Sequence, residues 1–269
     1  MQNLSATSAG TITIADKTVS RLGLGTNRIT SRSKDILEYA VKLGIQFFDT
    51  ANAYTNGQSE ETIGETLSLY TDIVIATKGG MHPPDFHIDS KPQSLGKQLE
   101  ESLKRLRTNT IQLYFLHRVD PRVPFKESIL FLKDMQDEGK IRHIGLSEVN
   151  VKQLEEARKY VDIVAVENQY SIAERKHEDA LSYCEKENIT FVPFYPLHTG
   201  TVFNHNGVQA LFKKYNASET QLALAWLLQK SKIMLPIPGT LSKQHLEENV
   251  TATSIRFTEE EMQLLQVLA

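Results

Sequence analysis

From Arg21 onward the chain alternates short, continuous apolar runs with longer stretches of helical period. The runs are Arg21–Gly25, Ile45–Asp49, Ile73–Thr77, Ile111–Leu116, Ile141–Leu146, Ile163–Glu167, Thr190–Phe194 and Ile233–Ile237. Such runs suit parallel strands buried on both faces. Between them the apolar spacing predicts helices over Ser33–Leu43, Ser59–Leu69, Pro92–Arg107, Phe125–Glu138, Lys152–Tyr160, Lys176–Glu187, Gly207–Tyr215 and Ser218–Gln229. Lys243–Asn249 and Glu259–Leu268 follow the eighth run as further helices. Ahead of the repeat, Thr11–Ile14 and Lys17–Val19 flank Ala15-Asp16 and predict a β-hairpin.

Eight strand–helix units without a Pro/Gly/Ser-rich linker predict an α/β fold: a (β/α)8 TIM barrel with an N-terminal hairpin, residues 1–269 forming one domain. A doubly wound open sheet is the structural alternative. Its dinucleotide fingerprint would begin at Gly23 and Gly25, but Arg28 stands where the third glycine belongs.

Composition narrows the classes of function. Hydrophobic residues at 40% and charged residues at 23% describe a globular chain. A formal charge of −3 supplies no basic field for nucleic acid or anionic lipid. Cys184 is the one cysteine, which excludes an internal disulfide and reads as a structural thiol on a helix. The N-terminus lacks the pattern of a signal peptide, and no run approaches the ~20 apolar residues of a membrane span. The cytoplasm is the expected location.

The strand ends carry the chemistry. In a barrel of this kind, reactive groups sit at the C-terminal ends of the strands. Here the second strand ends in Asp49, with Tyr54 shortly after; the third ends at Lys78 and the fourth at His117-Arg118. Singly, each has a structural reading as a turn former, a rim aromatic, a snorkelling lysine or a satisfied histidine. Together on one face they suit carbonyl reduction. An alkoxide formed by hydride addition needs a proton donor. Tyr54 can be that donor if an ammonium lowers its pKa from about 10. Lys78 supplies the ammonium, Asp49 holds Lys78 protonated, and His117 orients the substrate oxygen. No metal is required, and none is expected.

These segments resemble the aldo-keto reductase superfamily, in its short bacterial-type form without a long C-terminal loop. Gly44–Tyr54, with its Asp49 and Tyr54, is similar to the first family signature; Ile75–Lys78 and Leu103–Asp120 are similar to the segments bearing the catalytic lysine and histidine. The resemblance implies catalytic roles for Asp49, Tyr54, Lys78 and His117. It also implies a nicotinamide held near Gly25, Thr26 and Asp49, by Ser147 and Gln169, and by an aromatic at Phe194 within Phe194-Tyr195-Pro196-Leu197. Glu148 stands where asparagine is commoner. The segment Ile237–Asn249 resembles the adenosine-phosphate site: Glu248 and Asn249 match, while Gly239 and His245 replace a lysine and an arginine. Thr240, Lys243 and the helix start remain to bind a phosphate.

NADP(H) is therefore the favoured cofactor and NAD(H) the alternative. The expected partner is a small carbonyl compound, sugar or alcohol, in a monomer or weak homo-oligomer that binds neither nucleic acid nor membrane. Tyr54, His82, Phe86, His117 and Arg118 are the expected substrate contacts, His82 and Phe86 coming from the loop after the lysine-bearing strand. Two other readings compete. A nicotinamide-binding regulatory subunit would not need the intact four-residue set. A Schiff-base lyase or isomerase would use Lys78 but leave Tyr54 and His117 unexplained.

Overall fold

A parallel strand covered on both faces has to satisfy its backbone through its neighbours, and this chain does so by closing a ring. The computed structural model describes residues 4–268. The hairpin comes first, β1 (Thr11–Ile14) pairing antiparallel with β2 (Lys17–Ser20). Next come β3 (Leu24–Gly25), β4 (Phe47–Asp49) and β5 (Val74–Gly79), then a second small hairpin of β6 (Met81–His82) and β7 (His87–Ile88). The main sheet resumes with β8 (Ile111–Leu116), β9 (Ile141–Ser147), β10 (Ile163–Glu167) and β11 (Thr190–Phe191). In space the seven parallel strands run β3-β4-β5-β8-β9-β10-β11, each beside its predecessor in sequence.

Residues 233–238 close the barrel. On one side Phe191 N–H donates to the Ile233 carbonyl and Leu235 N–H to the Phe191 carbonyl, both at 2.9 Å. On the other, Gly23 N–H reaches the Pro236 carbonyl at 3.0 Å and Gly25 N–H the Pro238 carbonyl at 3.4 Å. This eighth segment forms only an isolated bridge at Met234, because Pro236 and Pro238 have no N–H to give the ladder. The (β/α)8 barrel expected from the apolar runs is thus observed. Several strands are shorter than their runs, the first reduced to Leu24–Gly25 and the seventh to Thr190–Phe191.

Helices α1 (Lys34–Lys42), α2 (Gln58–Leu67), α3 (Pro92–Leu106), α4 (Phe125–Asp137), α5 (Val151–Ala157), α6 (Glu178–Glu187), α7 (Asn206–Tyr215), α8 (Glu219–Lys230), α9 (Lys243–Ala252) and α10 (Glu259–Leu268) lie between and after the strands. The core has two layers. Phe47, Val74, Leu113, Phe115, Val192 and Leu235 fill the barrel, joined by Ile14 and Val19 of the hairpin. The larger layer lies between sheet and helices and includes Phe48, Leu99, Ile144, Trp226 and the buried Cys184. The β1–β2 turn bonds residues at the starts of the central strands: Asp16 pairs with Arg142 and His143, and Lys17 donates to the Thr71 carbonyl. The hairpin therefore covers the N-terminal mouth and leaves the C-terminal strand ends open. Among the described residues no helix is long and apolar enough to cross a membrane.

Candidate active site at the strand ends

The four residues expected to act together are brought together. Asp49 ends β4, Lys78 lies in β5, and His117 follows β8 directly. After β4 the chain turns back over β5, with Asn52 N–H on the Lys78 carbonyl at 3.1 Å and Tyr54 N–H on the Ala51 carbonyl at 3.0 Å. The turn continues through Thr55 and Asn56, both left-handed at φ of 48° and 55°. That conformation is costly for a β-branched residue; the Thr55 hydroxyl anchors it by donating to the Ile29 carbonyl at 2.9 Å.

Lys78 is the hub. Its Nζ donates to both Asp49 carboxylate oxygens at 2.6 Å and to the Thr50 carbonyl at 2.9 Å, and lies 3.4 Å from the Tyr54 hydroxyl. A second carboxyl, Glu167 at the end of β10, places Oε1 3.3 Å from the same nitrogen. Burial alone favours the neutral amine, yet Asp49 and Glu167 outweigh it and hold Lys78 above its ordinary pKa. Burial raises the Asp49 carboxyl as well, against the pull of Lys78. Glu167 is pushed well above the carboxylate range by burial and by Asp49.

Tyr54 departs from expectation. Burial raises its hydroxyl pKa; Lys78 opposes that shift, while Asp49 and Glu167 add to it. The ammonium is present as foreseen, but its shortest contacts are to the Asp49 carboxylate and not to the Tyr54 hydroxyl. His117 is buried edge-on to Tyr54, ring centroids 5.8 Å apart, and burial, Lys78 and Arg118 together hold it well below its ordinary value. Its imidazole is neutral near pH 7, and Nδ1 has no hydrogen-bond partner among the described residues.

A cleft of about 840 Å³ opens above these groups. Of the residues expected at a cofactor, Gly25, Thr26, Asp49, Gln169, Phe194, Tyr195, Pro196, Leu197, Ile237 and Gly239 line it. Thr26 is fixed there by its hydroxyl on the Asp49 carbonyl at 2.7 Å. Tyr54, Phe86, His117 and Arg118, expected at substrate, also line it.

Other expected residues stand apart from the cleft lining. Ser147 is fully buried and accepts from Arg118 at 2.9 Å. Glu148 is turned away: it accepts from the Gln169 backbone N–H at 2.7 Å and pairs with Lys176 and His177. Against its partial burial, these donors bring its carboxyl down to about 2. His82 is engaged by Ser94 and Gln98, each at 2.7 Å, and stacks on His87 instead of facing the cleft. Thr240, His245, Glu248 and Asn249 sit at and within the first turns of α9, beyond the lining. There Ser242 caps the helix on His245 N–H, and Lys243 pairs with Asp35 at 3.0 Å.

Glu167 and Arg28 are among the cleft residues that were not singled out by sequence. Glu167 was visible at a strand end, but nothing in its spacing distinguished it from a turn carboxylate. Arg28 had counted only as a missing glycine; it lines the cleft and donates to the Gly239 carbonyl at 3.1 Å.

Comparison with known proteins agrees with this geometry. A model of the aldo/keto reductase family matches residues 21–269. An uncharacterized oxidoreductase of Schizosaccharomyces pombe is 40% identical over 270 residues, 95% of this chain and 88% of that protein. Pyridoxine 4-dehydrogenase of Escherichia coli is 32% identical over 283 residues, 96% of this chain and 98% of its own. Among solved structures, an aldo-keto reductase of Klebsiella pneumoniae in complex with NADPH matches with a TM-score of 0.82 at 25% identity, covering 93% of this chain and 91% of that one.

Proposed function

This chain belongs to the aldo/keto reductase family, and from that premise we propose a carbonyl oxidoreductase that works with NADP(H) and uses Tyr54 to give and take the proton. One observation carries the reading: a fully buried ammonium, locked by Asp49, stands 3.4 Å from a tyrosine hydroxyl that lines an open cleft beside a neutral histidine.

In the reducing direction Tyr54 keeps its proton until an oxygen accumulating negative charge accepts it, which suits a hydroxyl of raised pKa. Lys78 then stabilises the tyrosinate left behind. A neutral imidazole at His117 donates a hydrogen bond to the same oxygen and orients it. Arg118 is held by the His117 carbonyl and Ser147 beside Phe194, and brings a cation to the substrate end of the cleft.

The residues present fit a nicotinamide dinucleotide. Gln169 and Phe194 offer polar and aromatic surface near the cluster, while Gly239, Arg28 and the capped start of α9 offer room, a guanidinium and N–H groups for phosphate. When bound, that cofactor supplies or accepts the hydride. The NADPH complex of the Klebsiella pneumoniae relative supports NADP(H) over NAD(H). Consistent with a charge of −3, we read residues 1–269 as one cytoplasmic domain acting on small carbonyls or alcohols, as a monomer or weak homo-oligomer.

The test is a fluorescence titration with NADPH and NADH, followed by a panel of aldehydes and ketones assayed for cofactor oxidation. Tighter binding of NADPH and its oxidation by at least one carbonyl are expected. Preference for NADH would overturn the choice of cofactor, and absence of carbonyl-dependent oxidation would overturn the activity.

A further inference from the structure

The charge balance around Lys78 does not close with the four expected residues. Three buried groups from three strands meet at one nitrogen: Asp49 from β4, Lys78 from β5 and Glu167 from β10. Asp49 places both oxygens at 2.6 Å, whereas Glu167 places one at 3.3 Å. The other Glu167 oxygen is buried without a hydrogen-bond partner, and the carboxyl stands within hydrogen-bonding reach of Asp49.

The remaining groups nearby do not repair the balance. Tyr54 faces Lys78 from the turn after β4. His117, after β8, is neutral, and Arg118 is turned to Ser147. Among the described residues, Lys78 is the only cation within ion-pair distance of Glu167.

Two carboxylates sharing one buried ammonium do not both ionise. Asp49, with the two shorter contacts, is the carboxylate. Glu167 is the acid, and its proton supplies the donor that a contact between two carboxyl groups otherwise lacks. We propose that Glu167 stores a proton and passes it through Lys78 to re-form the Tyr54 hydroxyl after each reduction. This inference rests on the oxidoreductase reading.

In reduction the Tyr54 O–H bond breaks and its proton joins the former carbonyl oxygen, whose carbon would take the hydride that a bound nicotinamide supplies. The tyrosinate then takes a proton from the Lys78 ammonium across 3.4 Å. The resulting amine takes one from the Glu167 carboxyl across 3.3 Å, leaving Lys78 charged and Glu167 as carboxylate. No electrons move in these two transfers. Solvent returns the proton to Glu167 when the cleft, which Glu167 lines, empties. Alcohol oxidation runs the path backwards, with Glu167 receiving. Glu167 touches no reacting atom and acts only through Lys78.

The test uses the full chain as wild type, Glu167→Gln and Glu167→Asp. Infrared difference spectroscopy near neutral pH is expected to show the carbonyl stretch of a buried carboxylic acid in wild type and not in Glu167→Gln. In wild type, kcat for reduction is expected to fall, and kcat for oxidation to rise, as pH passes through the ionisation of that acid. Glu167→Gln should lower kcat roughly ten- to a hundredfold, leave the KM for cofactor in place and abolish that pH limb; Glu167→Asp should restore the limb. An active wild type without the acid band, or a Glu167→Gln profile that overlays wild type, would overturn the proton store alone. An acid band in a protein that oxidises no cofactor with any carbonyl would overturn the oxidoreductase reading, and the relay with it.

Discussion

Lys78 explains why the site behaves as a unit. A wholly buried cation survives only with its charge matched, and Asp49, Thr50, Tyr54 and Glu167 all turn toward it. Asp49, Tyr54, Lys78 and His117 were legible in sequence because strand ends and chemical need converged on them. Glu148 and His82 were less so, since what a side chain faces depends on partners far along the chain, Lys176 and Gln98 among them. His117 carries a prediction at this scale. Its folded pKa is depressed, while in the unfolded chain it titrates near ~6.5. Below that pH the unfolded chain binds a proton that the folded chain refuses, so stability falls as pH drops, by up to about 1.4 kcal/mol per pH unit. Urea midpoints at two pH values on either side of this range should differ less in His117→Gln than in wild type. An equal difference in both would contradict a neutral, buried His117.

Elements were legible where apolar runs were long and were blurred where local chemistry intervened. The eighth strand is a run interrupted by two prolines, so its role in closing the barrel shows in its backbone partners and not in regular pairing. The β6–β7 hairpin escaped notice because Met81–Asp89 has no alternating pattern. Glu60, in the first turn of α2, is fully buried, accepting from Thr77 at 2.6 Å and from Arg105 at 3.2 Å. The packing of α2 on α3 is closest at Gly64, where a Cβ would lie 2.1 Å from the Arg105 carbonyl oxygen and 2.8 Å from the Leu106 Cα. Backbone cannot yield as a side chain can. Gly64→Ala is expected to destabilise the fold by about 1–3 kcal/mol, read as a lower denaturant midpoint. A midpoint equal to wild type would show that the two helices separate freely.

At the scale of the whole molecule, the barrel divides stability from chemistry. The hairpin packs Ile14 and Val19 into one mouth, and the cleft occupies the other. Ile14→Ala is expected to cost about 2–5 kcal/mol of stability, seen in a denaturant curve, with KM for the carbonyl unchanged below the new transition. A shift in KM would mean that the two ends are coupled. The oxidoreductase reading itself stands on the other mouth and is tested most directly by Tyr54→Phe, which removes one oxygen and leaves the ring in place. With the same carbonyl and saturating NADPH, turnover is expected to fall by roughly 10²–10⁴, while NADPH titrates the variant as it does wild type. Turnover by Tyr54→Phe at the wild-type rate would contradict the account.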